Sequence, residues 1–540
     1  MFSVALAMTS LLAAAQDAYE SSRLLGNDLN GTARYVGMGG AMEALGAEIS
    51  TMSTNPAGIG LFRHSSVSAS MGIVSQSGVD VFDDLGKTNV SFDQAGFVYS
   101  TQLNRTSFVN FGINYHKSRN FDQILSASMR AGQGAAMNSL NKLTYMKNSL
   151  GNSIDGGYDL AFQTDNAGKI IGIMGYESWD SGDRAQTFTQ FDYLNANAVL
   201  WDHNDNKLYY SDANGYDFNR SHRGSISDVD VNLSGNVGNR VYLGMTLGLH
   251  NVNYLGFTEY TEHMVNSQKV PTDDIHYSDE RKITGMGFDI NVGAIFRPVE
   301  ESPFRVGVYI ATPTWYELTT ENHTEVWGKG FRGKNSAGYD EYKFKLFTPW
   351  RFGLSLGHTI GNSVALGATY DYSGYSSTDV RVNTGRNDYG DMESVSDRVM
   401  NANVTKSLKG VSTLKVGVEL KPVAEVAVRA GYNYVSPMYS AKGMRDTQIS
   451  SNGVMYASTA DYTNWKATNR FTCGLGYKTG GFNVDLAYQY NMTKGDFYPF
   501  QNKVTYLDEY GTMQETTDFS KATEVSFKRH QIMLTLGYTF

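Results

Sequence analysis

The sequence predicts an all-β protein: a transmembrane antiparallel β-barrel of about fourteen strands with an N-terminal hatch, or plug, inside its lumen. Three observations carry this. Apolar residues alternate with small or polar ones at a period of two along most of the chain. The connections between the alternating segments are longer and shorter by turns. The chain is 41% hydrophobic and rich in glycine, tyrosine and phenylalanine, yet beyond its N-terminal segment no stretch approaches the ~18 consecutive apolar residues of a membrane-spanning helix.

The alternation is clearest in the last segment, QIMLTLGYTF. Ile532, Leu534, Leu536, Tyr538 and Phe540 share one face, opposite Gln531, Met533, Thr535, Gly537 and Thr539. Val241–His250, Phe288–Phe296 and Phe482–Asn491 repeat the pattern. A dry core against the polar faces would leave many groups unpaired, whereas lipid outside and a wet or plugged lumen inside resolves the conflict. The strands predicted on this basis span 65–74, 92–104, 106–117, 225–237, 239–251, 283–297, 303–317, 344–359, 362–374, 410–421, 424–436, 467–479, 481–493 and 526–540. Short turns such as NVGNR (Asn236–Arg240) and KTGGF (Lys478–Phe482) then fall on the periplasmic side, and the long loops outside. This places the protein in the outer membrane of a Gram-negative bacterium. Tyr538 and Phe540, aromatic and outward at the end of the last strand, read as an assembly signal for the barrel assembly machinery.

The net charge of -9 and the lack of a basic run argue against nucleic acid as a partner. A single cysteine, Cys473, excludes an intrachain disulfide and a Cys-based zinc site, and reads as a small packing residue. Residues 1–15 (MFSVALAMTSLLAAA) read as a secretory signal, trimmed or truncated because the positive n-region is missing. Residues 16–60 are then the hatch and residues 61–540 the barrel.

The hatch prediction rests on YVGMGGAMEALGA (Tyr35–Ala47) and STNPAGIGLF (Ser53–Phe62). Asn-Pro disfavours the helical region at Asn55, while Gly58 and Gly60 permit shapes other residues resist. Such a segment suits a tight irregular path against a crowded lumen wall. The long connection 118–224 is expected outside the cell. Within it, Phe121–Leu150 carries helical periodicity that places Met137, Leu140, Leu143 and Met146 on overlapping faces. Two readings stand: a loop helix packed on the barrel mouth, or a landing site for an apolar ligand aided by adaptable methionines.

STMSTNPAGIGLF (Ser50–Phe62) resembles the end of the hatch in the FadL/TodX outer-membrane transporters of long-chain fatty acids and hydrocarbons. GMGFDINVGAIFRP (Gly285–Pro298), TPWRFGLSLGHTIG (Thr348–Gly361) and VGVELKPVAEVAVRAGYNY (Val416–Tyr434) resemble that family's barrel segments, and the likeness runs from about Leu24 to Phe540. It implies a fourteen-stranded barrel with a hatch. It also implies passive uptake of a hydrophobic ligand such as a long-chain fatty acid, with release sideways into outer-membrane lipid through an opening in the third strand. Gly112 lies inward at the centre of that strand, where it either permits the opening or merely makes room for the plug; on the first reading Asn55, Pro56, Ala57, Gly58 and Gly112 form the candidate gate. The very long 118–224 connection departs from the pattern. Members of this family also serve as partners within larger assemblies, so a barrel partnering another outer-membrane protein is the alternative.

No catalytic residue, metal or cofactor is predicted. GLSLG (Gly353–Gly357) fits G-x-S-x-G on paper, but it lies inside an alternating strand where the motif needs a strand-to-helix turn. DHNDNK (Asp202–Lys207) resembles the start of a calcium loop but has Lys207 at the sixth position and Ala213 at the twelfth. His116, His250 and His358 lie near strand ends, where hydrogen bonding is the default; haem uptake, a minor alternative, would need two facing histidines.

Overall fold

The computed structural model describes residues 17–540 apart from 84, 131–136, 146–159, 165–169, 176–188, 196–198, 203–206, 330, 335–339, 387–391, 448, 450, 452–453, 455–456, 508–512 and 520. Fourteen antiparallel strands form one closed wall. They are β1 (Ser66–Gln76), β2 (Thr88–Asn104), β3 (Ser107–Asn120, resuming as Gln123–Arg130), β4 (Asp212–Val237), β5 (Val241–Val265), β6 (Ile275–Phe296) and β7 (Arg305–Ala311, resuming as Trp315–Gly328). The wall continues with β8 (Arg351–Ile360, preceded by Asp340–Phe347), β9 (Val364–Gly374, resuming as Asp379–Arg386), β10 (Gly410–Val423), β11 (Val426–Val435), β12 (Tyr462–Thr479), β13 (Phe482–Tyr498) and β14 (Thr523–Thr539). Pairing of β14 with β1, from Gln76 opposite Arg529 to Ser66 opposite Thr539, closes the ring and leaves no edge.

Burial follows the alternation. On β5, Leu243, Met245, Leu247 and Leu249 are exposed outward, while Tyr242, Thr246 and His250 are buried inward. The same holds for Ile532, Leu534, Leu536 and Tyr538 against Met533 and Thr535 on β14. The outward residues make the apolar belt of an outer-membrane barrel. Among the described residues no helix is long and apolar enough to cross a membrane; the chain crosses with strands.

Each of the fourteen segments read from the sequence is a strand of this wall, but several run much further. β4, β5 and β6 are 26, 25 and 22 residues long, where a tilted crossing needs about ten. Their upper halves rise beyond the membrane, where neither face meets lipid and the outward apolar signal stops. The hydrogen-bonded ladder continues regardless, up to Asp212 opposite Val265.

Two expectations are corrected here. Gln123–Arg130 is strand paired with β4, not the start of a helix, because its backbone continues the β3 ladder past a break at Phe121 and Asp122. The connection predicted over 118–224 is correspondingly shorter, since Ser118–Asn120 and Asp212–Gly224 also belong to strands. Two further breaks, in β7 and before β8, hold Pro313 and Pro349, which lack a backbone donor for the ladder. Thr314 and Thr348 bridge that gap: the Thr348 N–H donates to the Thr314 carbonyl at 3.1 Å, and the Thr314 N–H donates to Thr348 Oγ1 at 2.8 Å.

Candidate functional site: a cavity above the hatch

Residues 17–61 lie within the ring and are mostly buried. They form α1 (Ala18–Arg23), α2 (Ala33–Gly37) and two 3-10 turns, Ile49–Ser53 and Pro56–Leu61. Side chains end each piece. Asp17 Oδ1 accepts from the Tyr19 and Glu20 N–H groups, Thr32 Oγ1 from Tyr35, and Asn55 Oδ1 from Ala57. Asn55 thus caps the Pro56–Leu61 turn, with Pro56 in its first position.

The wall makes room with inward glycines. Gly357, Gly367, Gly417 and Gly431 are successive cross-strand partners on β8 to β11, forming one level row. A Cβ at Gly367 would collide with the Ala41 carbonyl, and one at Gly417 with that of Met38. On the other side, Gly244 and Gly293 face each other across β5 and β6, and a Cβ on either would strike Pro56 or Asn55. Backbone therefore packs on backbone across much of the lower lumen.

Buried ion pairs tie the hatch to the wall along its length. Arg445 reaches Asp17 at 2.5 Å and Glu20 at 3.1 Å, and Arg281 also pairs with Glu20. Asp28 lies 3.1 Å from Arg529 and 3.5 Å from Arg470. Arg34 meets Glu419 at 3.1 Å and Lys415 meets Glu43 at 2.7 Å. Such pairs gain little over apolar packing, but losing one partner strands a buried charge at a cost of about 3–5 kcal/mol. Burial alone would raise the Asp28 carboxyl; Arg529, Arg470 and Arg119, with the Asn120 N–H, outweigh it and hold it well below the usual range. At Asp17 burial likewise pushes upward, and Arg445 with the α1 N–H groups brings the carboxyl down.

Between the wall and the hatch, whose residues 22–30 line it, lies a cavity of about 390 Å³. Its apolar and aromatic lining includes Leu24, Leu25, Phe121, Tyr254, Tyr316 and Met438, and Ser53 and Thr54 of the hatch also line it. Charged side chains face it as well, and two sets of them are clustered. One is the Asp28 set with Arg119, Arg470 and Arg529. The other is a row across β3 to β6: His116 is the cross-strand partner of Asp228, and Asp228 of His250. His116 lies 3.5 Å from Asp228 and 3.4 Å from Asp230. His250 lies 2.8 Å from Asp228 and 3.1 Å from Asp289. The two histidines are thus engaged by aspartates. Among the described residues no group of three His, Cys, Asp or Glu is arranged to hold a metal ion.

The candidate residues fall in different places. Asn55, Pro56 and Ala57 abut β5, β6 and β7 through Gly244, Gly293 and Gly307, while Gly58 packs on Thr51 and Gly46 within the hatch. Met52, not Asn55, is the hatch residue against Gly112, where a Cβ would collide with its Cε. β3 is hydrogen-bonded on both edges at this point, with Gly112 opposite Val98 and Asn232. Leu140 and Leu143 are buried in a cluster with Leu125, Tyr216, Phe218 and Tyr260, and Met137 packs at its edge. Described helical turn occurs at residues 140–145; Met146 lies outside the described residues. Tyr538 and Phe540 are exposed, their rings stacked at 6.1 Å. Residues 1–15 also lie outside the described residues, as does most of Asp202–Lys207. Ser355 is buried inward, its hydroxyl donating to the Gly307 carbonyl at 3.3 Å.

The cavity charges were missed from sequence, although parity held the signal. In DVDVNLSG (Asp228–Gly235) the polar residues share the lumen face, and Arg529 shares the inward parity of Gln531 and Met533. What parity cannot give is which strands bring their charges to one cavity.

No family model matches the chain, and no curated protein matches it. Among solved structures, the chain is similar to a Pseudomonas aeruginosa FadL homologue, at 12% identity over 95% of this chain and 99% of that one, with a TM-score of 0.47. It is similar to the P. putida toluene transporter TodX at 11% identity, covering 95% and 99%, with a TM-score of 0.44. It is similar to CymD, described as a monoaromatic hydrocarbon channel, at 11% identity, covering 96% and 99%, with a TM-score of 0.47.

Proposed function

We propose that this barrel is a FadL/TodX-type passive conduit that takes hydrophobic small molecules across the outer membrane. The observation that carries the reading is the cavity of about 390 Å³ between the wall and the hatch, lined in part by leucine, phenylalanine, tyrosine and methionine. An apolar chain held there leaves water at about 0.8 kcal/mol per methylene. Below the cavity, close backbone packing fills the lumen at the level of the glycine row. Onward movement therefore takes the ligand sideways into lipid, which is cheaper for an apolar molecule than a polar passage. Release of this kind at β3 requires the pairing around Gly112 to open.

A second reading, a sealed barrel serving as a partner for another outer-membrane protein, is favoured by the buried ion pairs that fix the hatch. Mass spectrometry of the barrel extracted in mild detergent separates the two. The conduit reading expects a co-purified amphiphile at about one per barrel. A stoichiometric protein partner with no such molecule would contradict it.

A further inference from the structure

Two clusters of unlike charge line the cavity. On the β3–β6 side, three carboxylates (Asp228, Asp230, Asp289) face two imidazoles. Asp230 is 1% exposed and its Oδ2 accepts no hydrogen bond among the described residues. On the other side, three guanidiniums, Arg119, Arg470 and Arg529, surround the carboxylate of Asp28, with Asp122 also on the cavity wall within reach of Arg529. Arg470 and Arg529 are 7% and 4% exposed, and the Nε–H of each lacks a hydrogen-bond partner among the described residues. Both sets line the same cavity. Buried polar atoms left without hydrogen-bond partners are expensive, and a ligand that supplies those partners recovers that energy.

The two clusters adjoin along β3: His116 belongs to the acidic one, and the Asn120 N–H donates to Asp28 at 3.0 Å in the basic one. Resting on the conduit reading above, we propose that the cavity selects zwitterionic amphiphiles. The anionic group meets Arg470 and Arg529, the cationic group meets Asp230 and its neighbours, and the chain lies against Leu24, Leu25 and Phe121. A simple fatty acid satisfies only one cluster.

The test uses the full barrel held in an amphipathic polymer, with Trp465, which lines the cavity, as a fluorescent reporter. Four probes are titrated below micelle-forming concentration: dodecylphosphocholine, dodecyl sulfate, dodecyltrimethylammonium and phosphocholine without a chain. The expected result is at least tenfold tighter binding of dodecylphosphocholine than of either singly charged probe. Asp230→Asn should shrink its advantage over dodecyl sulfate to within about threefold, and Arg470→Gln should do the same against dodecyltrimethylammonium. Both variants should keep the heat-modifiable gel shift of a folded barrel. Dodecyl sulfate or dodecyltrimethylammonium binding as tightly as the zwitterion would overturn the proposal, as would unchanged ratios in two folded variants. Chainless phosphocholine binding as tightly as dodecylphosphocholine would contradict the conduit reading and leave the headgroup assignment standing.

Discussion

The Asp28 carboxylate of the hatch lies 3.1 Å from the Arg529 guanidinium of the closing strand β14. This pair joins the segment that fills the lumen to the seam that closes the wall. Arg470 at 3.5 Å and the Asn120 N–H at 3.0 Å complete its surroundings.

Because the folded Asp28 carboxyl is held below its unfolded value, its contribution is fully present above about pH 3.9 and is lost as pH falls through the folded value. The midpoint of heat modification should therefore hold steady from pH 5 to about pH 4 and drop progressively as the pH is lowered further. Asp28→Asn should lower it at pH 5, by a destabilisation on the order of 3–5 kcal/mol, and flatten the acid-side slope. An unchanged slope in that variant would assign the acid sensitivity to other groups.

Gly367→Val should leave the barrel able to assemble but unable to seat its hatch, since the new side chain meets the Ala41 carbonyl. Single-channel recording should show conductance raised severalfold over the plugged parent. A parent-like conductance in an assembled variant would mean that the glycine row does not set the seating.

Gly112→Val should lower uptake. If the cause is space for Met52, adding Met52→Ala should restore it, because the colliding atom is the end of that side chain. If the cause is opening of β3, the double variant should remain impaired. Uptake assays on matched amounts of folded barrel distinguish the two, and the lateral-release proposal expects the second result.

Leu143→Ala should destabilise the mouth of the barrel by about 2–5 kcal/mol, the cost of truncating a well-packed leucine. Leu143 is 0% exposed and surrounded by the mouth cluster, so binding in the main cavity should change little. Denaturant unfolding and ligand titration on the same sample check both halves.

The wall was legible in the sequence because lipid on one face and hatch on the other impose strict parity. Leu243, Met245 and Leu247 against Thr246 and His250 is that constraint written out. Above the membrane burial still alternates along β5, but the outward face is no longer apolar, which is why the upper halves of β4 and β5 and the strand Gln123–Arg130 were not read as such. There, burial on the inner face comes from packing among aromatics such as Tyr216, Phe218 and Phe497, which sequence spacing does not announce. Asn55-Pro56 and the nearby glycines marked the irregular path of the N-terminal segment, but its ion pairs join residues hundreds of positions apart, as Asp17 with Arg445. For the candidate ligand residues, apolar periodicity marked Leu140 and Leu143 equally well for packing or binding; their burial places them in the mouth cluster.

The central claim, passive uptake of apolar chains, is tested most directly by energy-independent uptake of a homologous n-alkyl series in cells with and without the barrel. The account predicts barrel-dependent uptake that persists after the proton-motive force is collapsed, with affinity rising about fourfold per added methylene, the equivalent of about 0.8 kcal/mol. Affinity that stays flat across chain length, or is highest for a sugar or a peptide, would contradict it.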